Sequence, residues 1–372
     1  MVDLASKILW HDKTRFLITV SGVGFAVALV FVRVGLFRGL LSNASVTIDH
    51  IDADLWVTAR NTPNVDFSNT FPEALVQRVR SVPGVAAADN LIVWFATVAL
   101  PSGVRENAVI YAVEDFARWG LPWKVLEGDP RDLRRGKYVM LDDSATRRFG
   151  AFKVGDYREF LGQRLKVIGR TAEARSFTTN PIAFVDYRVA QSLDRQELKN
   201  RTTYVVVKLA PGADKAAVAA EIARRLPYNN VRGRAEWGDR SRAYWTDNTG
   251  LGLNMVMTVF LGCLVGVVVV AQTLYTSTME HIKEFGTVKA IGGSNLDIYR
   301  ILGKQAAISA ALGFALGAAM AYALRPLMAG IDLKLIISPT MAVGVLLGTL
   351  LLCLAASFGT VAKLDPAIVF RG

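Results

Sequence analysis

Four long apolar runs constrain this chain more than any other feature of its sequence. They occupy Phe16–Phe37, Leu253–Thr276, Ile301–Leu324 and Met341–Val361. A helix of about 20 mostly apolar residues spans the roughly 30 Å hydrocarbon layer of a bilayer, and each run reaches that length. A large globular core is the alternative, but three runs follow one another in the C-terminal third of the chain. The sequence therefore predicts four membrane-spanning helices.

The first run needs separate treatment, because a secretory signal peptide is its alternative. Its apolar region exceeds the 7–15 residues typical of a signal peptide, and no compelling small-x-small cleavage site follows it. We interpret it as a retained helix. Before it, residues 1–15 place Leu4 and Ile8 opposite Lys7 and Asp12, which predicts an amphipathic cytoplasmic N-terminal helix. A plain cytoplasmic lead-in explains these residues equally well.

Basic residues in the short segments set the orientation. Lys7, Lys13, Lys283, Lys289 and Lys363 all fall on one side of a four-span arrangement, which the positive-inside rule makes cytoplasmic. Arg33 and Arg38 depart from this pattern at the outer end of the first span. The predicted division is a cytoplasmic helix 1–15, spans 16–40, 251–277, 301–325 and 340–361, an outer domain 41–250, a cytoplasmic hairpin 278–300, an outer loop 326–339 and a cytoplasmic tail 362–372.

The outer segment is too long and too patterned to be a loop. Asp54–Arg60 alternates like a strand, and Thr203–Leu209, Asp214–Leu226 and Asn230–Glu236 have the pattern strand, helix, strand. These modules predict one α+β lobe over about 50–120 and 200–240. A β-rich lobe is predicted between them, over about 121–199. The fold class is thus four transmembrane helices with a large α+β domain between the first two.

Charge and motifs exclude several functions. The formal net charge is +11, but residues 41–250 mix 30 basic with 25 acidic side chains, which does not form a stripe for nucleic acid. No P-loop, zinc-protease or Gly-x-Ser-x-Gly motif is present. We therefore expect no enzyme activity, cofactor or metal site in this chain, and we interpret Cys263 and Cys353 as packing residues. The pairs Asp142-Asp143 and Glu114-Asp115 are interpreted as solvated loop residues, and Tyr244-Trp245 as membrane-interface anchors.

The short polar segment between the second and third runs is the main indication of function. Glu280, Lys283 and Glu284 continue the second span as a helix, and Gly286 and Gly292 allow it to bend. From the residues alone, a surface for a partner protein and an ordinary solvated loop remain equally acceptable.

The run Glu284-Phe-Gly-Thr-Val-Lys-Ala-Ile-Gly292, preceded by Lys283, resembles the basic-Glu-Ile-Gly-x-x-x-Ala-x-Gly motif of the FtsX/MacB-type ABC transporter permeases. Phe285 stands in the isoleucine place. The ending Lys363-Leu-Asp-Pro-Ala-Ile-Val-Phe370 is similar to the family's C-terminal pattern. One span, a large outer domain and three further spans is also the layout of this family. The resemblance is strongest to the DevC-type permeases, at Asp52–Trp56, Tyr244-Trp245 and residues 267–292.

This resemblance implies a permease of the cell inner membrane that pairs as a homodimer above two ATPase subunits, which hold the ATP and Mg²⁺. It further implies a ferredoxin-like porter lobe, contact with membrane lipids and a periplasmic membrane-fusion adaptor. ATP-driven motion would pass through the helices to the outer domain, a mechanism called mechanotransmission, for export of a lipid, glycolipid or other hydrophobic compound. The residues implied in ATPase coupling are Glu280, Lys283, Glu284, Phe285, Gly286, Lys289, Ala290 and Gly292.

The alternative is an FtsX-like regulator that activates a periplasmic cell-wall hydrolase and transports nothing. A sensor receptor is a third possibility, but three consecutive C-terminal spans without a cytoplasmic output domain disfavour it. The residues do not identify a cargo.

Overall fold

The computed structural model describes residues 13–178, 180–280, 295–330 and 333–362. The chain divides into two compact units. The helical unit comprises Met1–Gly39 and Gly252–Gly372, and the outer unit comprises Leu40–Leu251. The predicted N-terminal helix falls mostly on residues 1–12, which lie outside the described residues, as does the predicted tail from residue 363 onwards.

Helices and strands are numbered in chain order. The helices are α1 Lys13–Asn43, α2 Val46–His50, α3 Leu75–Arg80, α4 Phe116–Trp119, α5 Ala145–Phe149, α6 Tyr187–Leu193, α7 Arg195–Leu198, α8 Lys215–Arg225, α9 Arg234–Asp247, α10 Leu251–Glu280, α11 Asn295–Gly330 and α12 Pro339–Ala362. The strands are β1 Leu55–Ala59, β2 Phe71–Pro72, β3 Val85–Ala99, β4 Arg105–Val113, β5 Val125–Glu127, β6 Tyr138–Asp142, β7 Tyr157–Phe160, β8 Gln163–Thr171, β9 Ile182–Val185, β10 Arg201–Thr202, β11 Tyr204–Leu209 and β12 Asn229–Gly233.

The four predicted membrane helices are confirmed. The segments Phe16–Asn43, Leu251–Thr273, Tyr299–Gly330 and Pro339–Ser357 are helices long and apolar enough to cross a bilayer. A helix suits the interior of a bilayer, because it satisfies its own backbone hydrogen bonds where no water is available. Large apolar side chains such as Leu17, Phe260 and Leu351 remain exposed on these helices, as expected for surfaces in contact with lipid.

Glycines let α1 approach its neighbours closely. A Cβ added at Gly22 would lie 2.5 Å from Val269 Cγ1 of α10. On α11, a Cβ added at Gly317 would lie 2.5 Å from the Gly24 carbonyl oxygen and 2.7 Å from Val27 Cβ of α1. Dispersion contacts, which small residues permit, replace the hydrophobic effect as the force between helices in lipid. Helix α1 therefore contacts both α10 and α11 across positions that tolerate no side chain.

The segment between α11 and α12 holds the outer end of the first span. The Ile336 amide donates to the Gly35 carbonyl at 3.1 Å, and Arg38 donates to Ser338 Oγ at 2.5 Å. Arg38 departed from the charge pattern that sets the orientation, and this hydrogen bond gives it a structural role.

The outer unit is built on one ten-stranded sheet with the order β12-β1-β11-β3-β4-β9-β6-β8-β5, and β7 pairs with β3 and β8. Its first four strands connect through α3 and α8 as two strand–helix–strand modules. Strand β1 is antiparallel to β11 and β12, and β11 is antiparallel to β3. This is the ferredoxin-like arrangement that the predicted porter lobe requires.

The two faces of this sheet have different cores. In β1, Leu55 and Val57 pack with Val76, Ile222 and their neighbours beneath α3 and α8, whereas Trp56 packs on the opposite face with Tyr204 and Trp237. This alternation follows from the two-residue period of a strand.

Strands β5 to β9 extend the same sheet through the region of the predicted inserted lobe. Strand β3 pairs with β4 from Leu91 to Ala99, and β4 pairs in parallel with β9 at Val109–Tyr111. The predicted strand-rich character of this region is present in the structure. The exact lobe boundaries stay a prediction.

Exchanging Gly317 for alanine tests the close approach of α1 and α11. The added methyl group meets backbone and Cβ atoms that cannot rotate away, so Gly317→Ala should lower the free energy of unfolding by about 1–3 kcal/mol. Gly348→Ala is the matched control, because nothing lies within 4 Å of its added Cβ, and better helix propensity should leave it equal or more stable. Thermal unfolding of the detergent-solubilised protein measures both. Equal melting temperatures would contradict the packing described.

Candidate functional site

The cytoplasmic ends of α10 and α11 frame the predicted coupling segment. Helix α10 runs from Leu251 to Glu280, and α11 begins at Asn295. Glu280 is therefore the last described residue before the segment. The other predicted coupling residues lie outside the described residues: Lys283, Glu284, Phe285, Gly286, Lys289, Ala290 and Gly292. Their role stays a prediction.

Helix α10 joins the outer unit to this segment without a break. It has 30 residues, which at 1.5 Å per residue corresponds to about 45 Å. The hydrocarbon layer is only about 30 Å thick. The same continuous helix thus begins where the outer unit ends and finishes where the predicted coupling segment starts.

An apolar groove of about 220 Å³ lies within the helical unit between α1, α10 and α12. Cys263 and Cys353 both line it and are free thiols. Their placement among valine, glycine and leucine side chains agrees with the interpretation as packing residues.

The two ends of the outer unit are joined by an aromatic cluster. Trp245, near the end of α9, is 7% exposed and stacks on Phe177 with ring centroids 3.9 Å apart. Ala44, directly after α1, belongs to the same cluster, with Leu40 and Leu41 packed against it. Trp245 was predicted to anchor at the membrane interface, and that interpretation is wrong, because its ring is buried inside the outer unit.

Charged groups add to this junction, which we define as residues 40–49, Phe177 and α9. Arg242 of α9 donates to Ser45 Oγ and lies 3.6 Å from the Asp49 carboxylate. Arg234 donates to the Asp49 carbonyl oxygen. The end of α1 and helix α9 are therefore held together by packing and by charge-assisted hydrogen bonds, which are stronger than neutral ones.

A second charged network lies where α3 meets β3. The Asp89 side chain is 2% exposed, and its carboxylate accepts hydrogen bonds from the guanidinium groups of Arg80 and Arg118, each at 2.7 Å. Trp119 Nε1 also donates to it at 2.9 Å. Glu114 accepts from Arg80 at 2.6 Å. The buried Asp89 carboxylate is therefore fully partnered, and it fixes α3 and α4 against β3.

The acidic pairs singled out in the sequence have structural roles. Asp142 is 1% exposed and accepts from the Ala174 and Ser144 amides at 2.8 and 3.0 Å. Its interpretation as a solvated loop residue is wrong, because its carboxylate ties two turns to the end of β6. Asp115 accepts from two amides at the start of α4.

Asp66 is a further buried carboxylate, and no pattern in the sequence singles it out. It is 2% exposed, and its carboxylate accepts the Phe177 amide and faces the Tyr111 hydroxyl. Its Oδ2 atom has no partner of full hydrogen-bond geometry among the described residues, and the same holds for Tyr111 OH and Thr47 Oγ1. Burial raises the pKa of Asp66 from 3.8 to about 7, because desolvation disfavours the charged form.

Comparison with known proteins assigns the family. Residues 16–225 match the model of the MacB-like periplasmic core domain, and residues 256–364 match that of the FtsX-like permease C-terminal domain. The chain therefore belongs to the MacB/FtsX family of ABC transporter permeases. It is a multi-pass protein of the inner membrane with a large periplasmic domain between its first two membrane helices.

Relatives of similar length support this assignment. An uncharacterized ABC transporter permease of Mycobacterium tuberculosis is 24% identical over 378 residues, covering 100% of both chains. One from Methanocaldococcus jannaschii is 21% identical over 405 residues, covering 100% of this chain and 98% of the relative.

Two solved structures are similar to about half of this chain. The periplasmic region of MacB from Actinobacillus actinomycetemcomitans has 13% identity and a TM-score of 0.40, covering 50% of this chain and 92% of that one. The extracellular domain of the ABC-type transporter YknZ from Gram-positive bacteria has 16% identity and a TM-score of 0.37, covering 49% and 99%.

Replacing Asp66 by asparagine should remove a pH dependence of stability. The folded protein holds this proton up to about pH 7, whereas the unfolded chain releases it near 3.8. The group's contribution is therefore complete below pH 4 and is lost as the pH rises through 7. The difference between the folded and unfolded pKa of Asp66 corresponds to at most about 4 kcal/mol of folding stability. Asp66→Asn should match the wild type at pH 4 and unfold at a higher temperature at pH 8.

The matched control for this experiment is Asp239→Asn, which makes the same chemical change on an exposed side chain of α9. Surface ion pairs contribute about 0–1 kcal/mol, so its melting temperature should follow the wild type at both pH values. If Asp66→Asn behaves like this control, Asp66 is ionised throughout the range and its assigned environment is wrong.

Proposed function

We propose that this permease transmits ATP-driven movement of a separate ATPase to its outer unit, and that this movement drives export. The observation that carries the proposal is helix α10, which continues without a break from Leu251 to Glu280. A force applied at the cytoplasmic end of such a helix reaches the outer unit directly. Membership of an ABC permease family requires an ATPase partner, since the sequence contains no P-loop.

The junction supports this mechanism at the other end of the path. The end of α1 and helix α9 are held together by the Trp245–Phe177 stack and by Arg242. The two chain connections to the helical unit therefore move as one within the outer unit. The ferredoxin-like strands follow closely, because β1 begins at Leu55, six residues after Asp49.

The finer parts of the proposal come from the resemblance to DevC-type permeases. We propose a homodimer with two ATPase subunits, which hold the ATP and Mg²⁺, and a periplasmic membrane-fusion adaptor. Glu284 and its neighbours would contact the ATPase, and the cargo would be a lipid, glycolipid or other hydrophobic compound. An adaptor recovered with the purified complex supports export. A cell-wall hydrolase recovered in its place supports the regulatory alternative.

Reversing the charge of Glu284 tests the coupling role. In proteoliposomes with the partner ATPase, Glu284→Lys should reduce the ATP-dependent response of the outer unit at least about tenfold, because a tenfold effect requires only about 1.4 kcal/mol at a charged contact. The response is followed by an environment-sensitive dye on Asp239→Cys, with Cys263 and Cys353 replaced by serine. The rate of ATP hydrolysis is measured in parallel.

The control is Glu197→Lys, the same charge reversal at an exposed position of the outer unit. It should leave both the dye response and ATP hydrolysis unchanged. An unaltered dye response in Glu284→Lys, with normal ATP hydrolysis, would show that Glu284 does not couple the two processes.

A further inference from the structure

The apolar groove between α1, α10 and α12 has open space along α12. Gly344 and Gly348 both line it, and nothing lies within 4 Å of a Cβ added at either position. Thr349 lines it as well, but its hydroxyl donates to the Val345 carbonyl of the same helix at 2.7 Å. The groove therefore presents almost only apolar surface.

The groove lies at the depth of the hydrocarbon layer. Its three helices are all long and apolar enough to cross a bilayer. On α1 the lining residues are Val23, Ala26, Val27 and Val30, in the middle of the span Phe16–Asn43. An apolar groove at this depth suits the acyl chain of a lipid, which is the surrounding solvent here.

Arg33 lies beside the outer end of this groove. It follows Val30 by three residues and Ala26 by seven, and residues at these spacings share one face of a helix. Its side chain is exposed. Unlike Arg38, which donates to Ser338, Arg33 makes no hydrogen bond or ion pair with the residues that the structure describes. A charge within a membrane span calls for a partner of opposite sign.

The level of Arg33 in the bilayer follows from a neighbouring contact. The Gly35 carbonyl accepts the Ile336 amide at 3.1 Å, so Gly35 lies level with the segment between α11 and α12. Arg33 precedes Gly35 by two residues, which is about 3 Å along the helix. A long arginine side chain extends its charge from such a depth to the interface. Its guanidinium can thus reach the lipid head groups of the outer leaflet, and the groove runs from it towards the bilayer centre.

A second copy of this chain does not suit the groove, because it offers nothing to Arg33. The four segments long and apolar enough to span a bilayer contain no Asp or Glu. Helices of a second copy packed into the groove would cover Arg33 without supplying a carboxylate at that depth. An uncompensated buried charge is strongly destabilising. A phospholipid, in contrast, carries a phosphate at one end and apolar chains at the other.

We propose that this groove binds one acyl chain of an outer-leaflet phospholipid, with Arg33 bound to the phosphate. The planar guanidinium donates two parallel hydrogen bonds to phosphate oxygens. A head group without an ammonium group suits Arg33 best, because an ammonium group partly neutralises the phosphate beside it. Phosphatidylglycerol has this chemistry. The site does not depend on the proposed coupling mechanism.

Native mass spectrometry of the full-length protein in detergent tests the proposal by measuring the dissociation constant of the first bound lipid. Dioleoylphosphatidylglycerol and dioleoylphosphatidylcholine have the same acyl chains, so they compare head groups alone. The wild type should bind phosphatidylglycerol at least about tenfold more tightly, and Arg33→Gln should reduce this preference to about twofold or less.

Arg325→Gln is the matched control. Arg325 is an exposed arginine near the outer end of α11, likewise without a hydrogen bond or ion pair in the described part of the chain. The described residues that line the groove come from α1, α10 and α12, so Arg325 is not among them. Its removal should leave the preference for phosphatidylglycerol unchanged.

Filling the groove tests the acyl-chain part of the proposal. Gly348→Leu places an apolar side chain where an added Cβ meets nothing within 4 Å, so the protein should remain folded in thermal unfolding. It should weaken the binding of both lipids at least about tenfold, because both use the same chain. Ala323→Leu adds the same side chain at an exposed position of α11 outside the groove and should bind both lipids as the wild type does.

Three results would overturn the proposal. The first is equal affinity of the wild type for the two lipids, and the second is a preference in Arg33→Gln equal to that of the wild type. The third is lipid bound to the monomer and absent from a dimer in the same spectra, because a second copy then covers the groove. None of these measurements involves the ATPase, so they do not bear on the coupling mechanism.

Discussion

The stacking of Trp245 on Phe177, with Ala44 packed beside them, is the contact on which the outer unit depends. An insertion of about 210 residues between two membrane helices must return its chain to the place where it left the membrane, and closing so long a loop costs conformational entropy. The aromatic stack offsets this cost at the base of the insertion, where aromatic pairs add about 0.5–1.5 kcal/mol beyond the apolar area they bury. Strands β1, β11 and β12 then bring the two ends of the insertion together again within the sheet.

The membrane helices and the ferredoxin-like strands were predictable because their residues follow simple periods. Four apolar runs of sufficient length must form helices if they are to cross a bilayer. Leu55, Trp56 and Val57 alternate between two cores, because successive side chains of a strand point to opposite faces of the sheet. Helix α8 was predicted within one residue of its observed ends, since Asp214 caps it through the Ala216 amide.

The misplaced residues share a physical cause, which is that burial of a polar or amphipathic side chain depends on distant partners. Asp142 is buried because Ala174 lies across a turn, and Trp245 is buried because Phe177, in the turn between β8 and β9, stacks on it. Asp66 lies in a segment of mixed polar residues without periodicity, so its burial could not be predicted from its neighbours in the chain. The coupling motif is the opposite case. It is recognisable from the sequence, and it lies outside the described residues except for Glu280.

The continuity of the sheet has a mechanical consequence. Strand β3 has 15 residues, and its residues Leu91–Ala99 pair without interruption with β4. No flexible linker therefore separates the ferredoxin-like strands from β5 to β9. A hinge requires a few residues that can change their backbone angles freely, and hydrogen-bonded residues in the middle of a sheet cannot. The outer unit can therefore change shape by a change in the twist of its sheet. Such a deformation spreads over many strands and rotates the two ends of the unit in opposite directions.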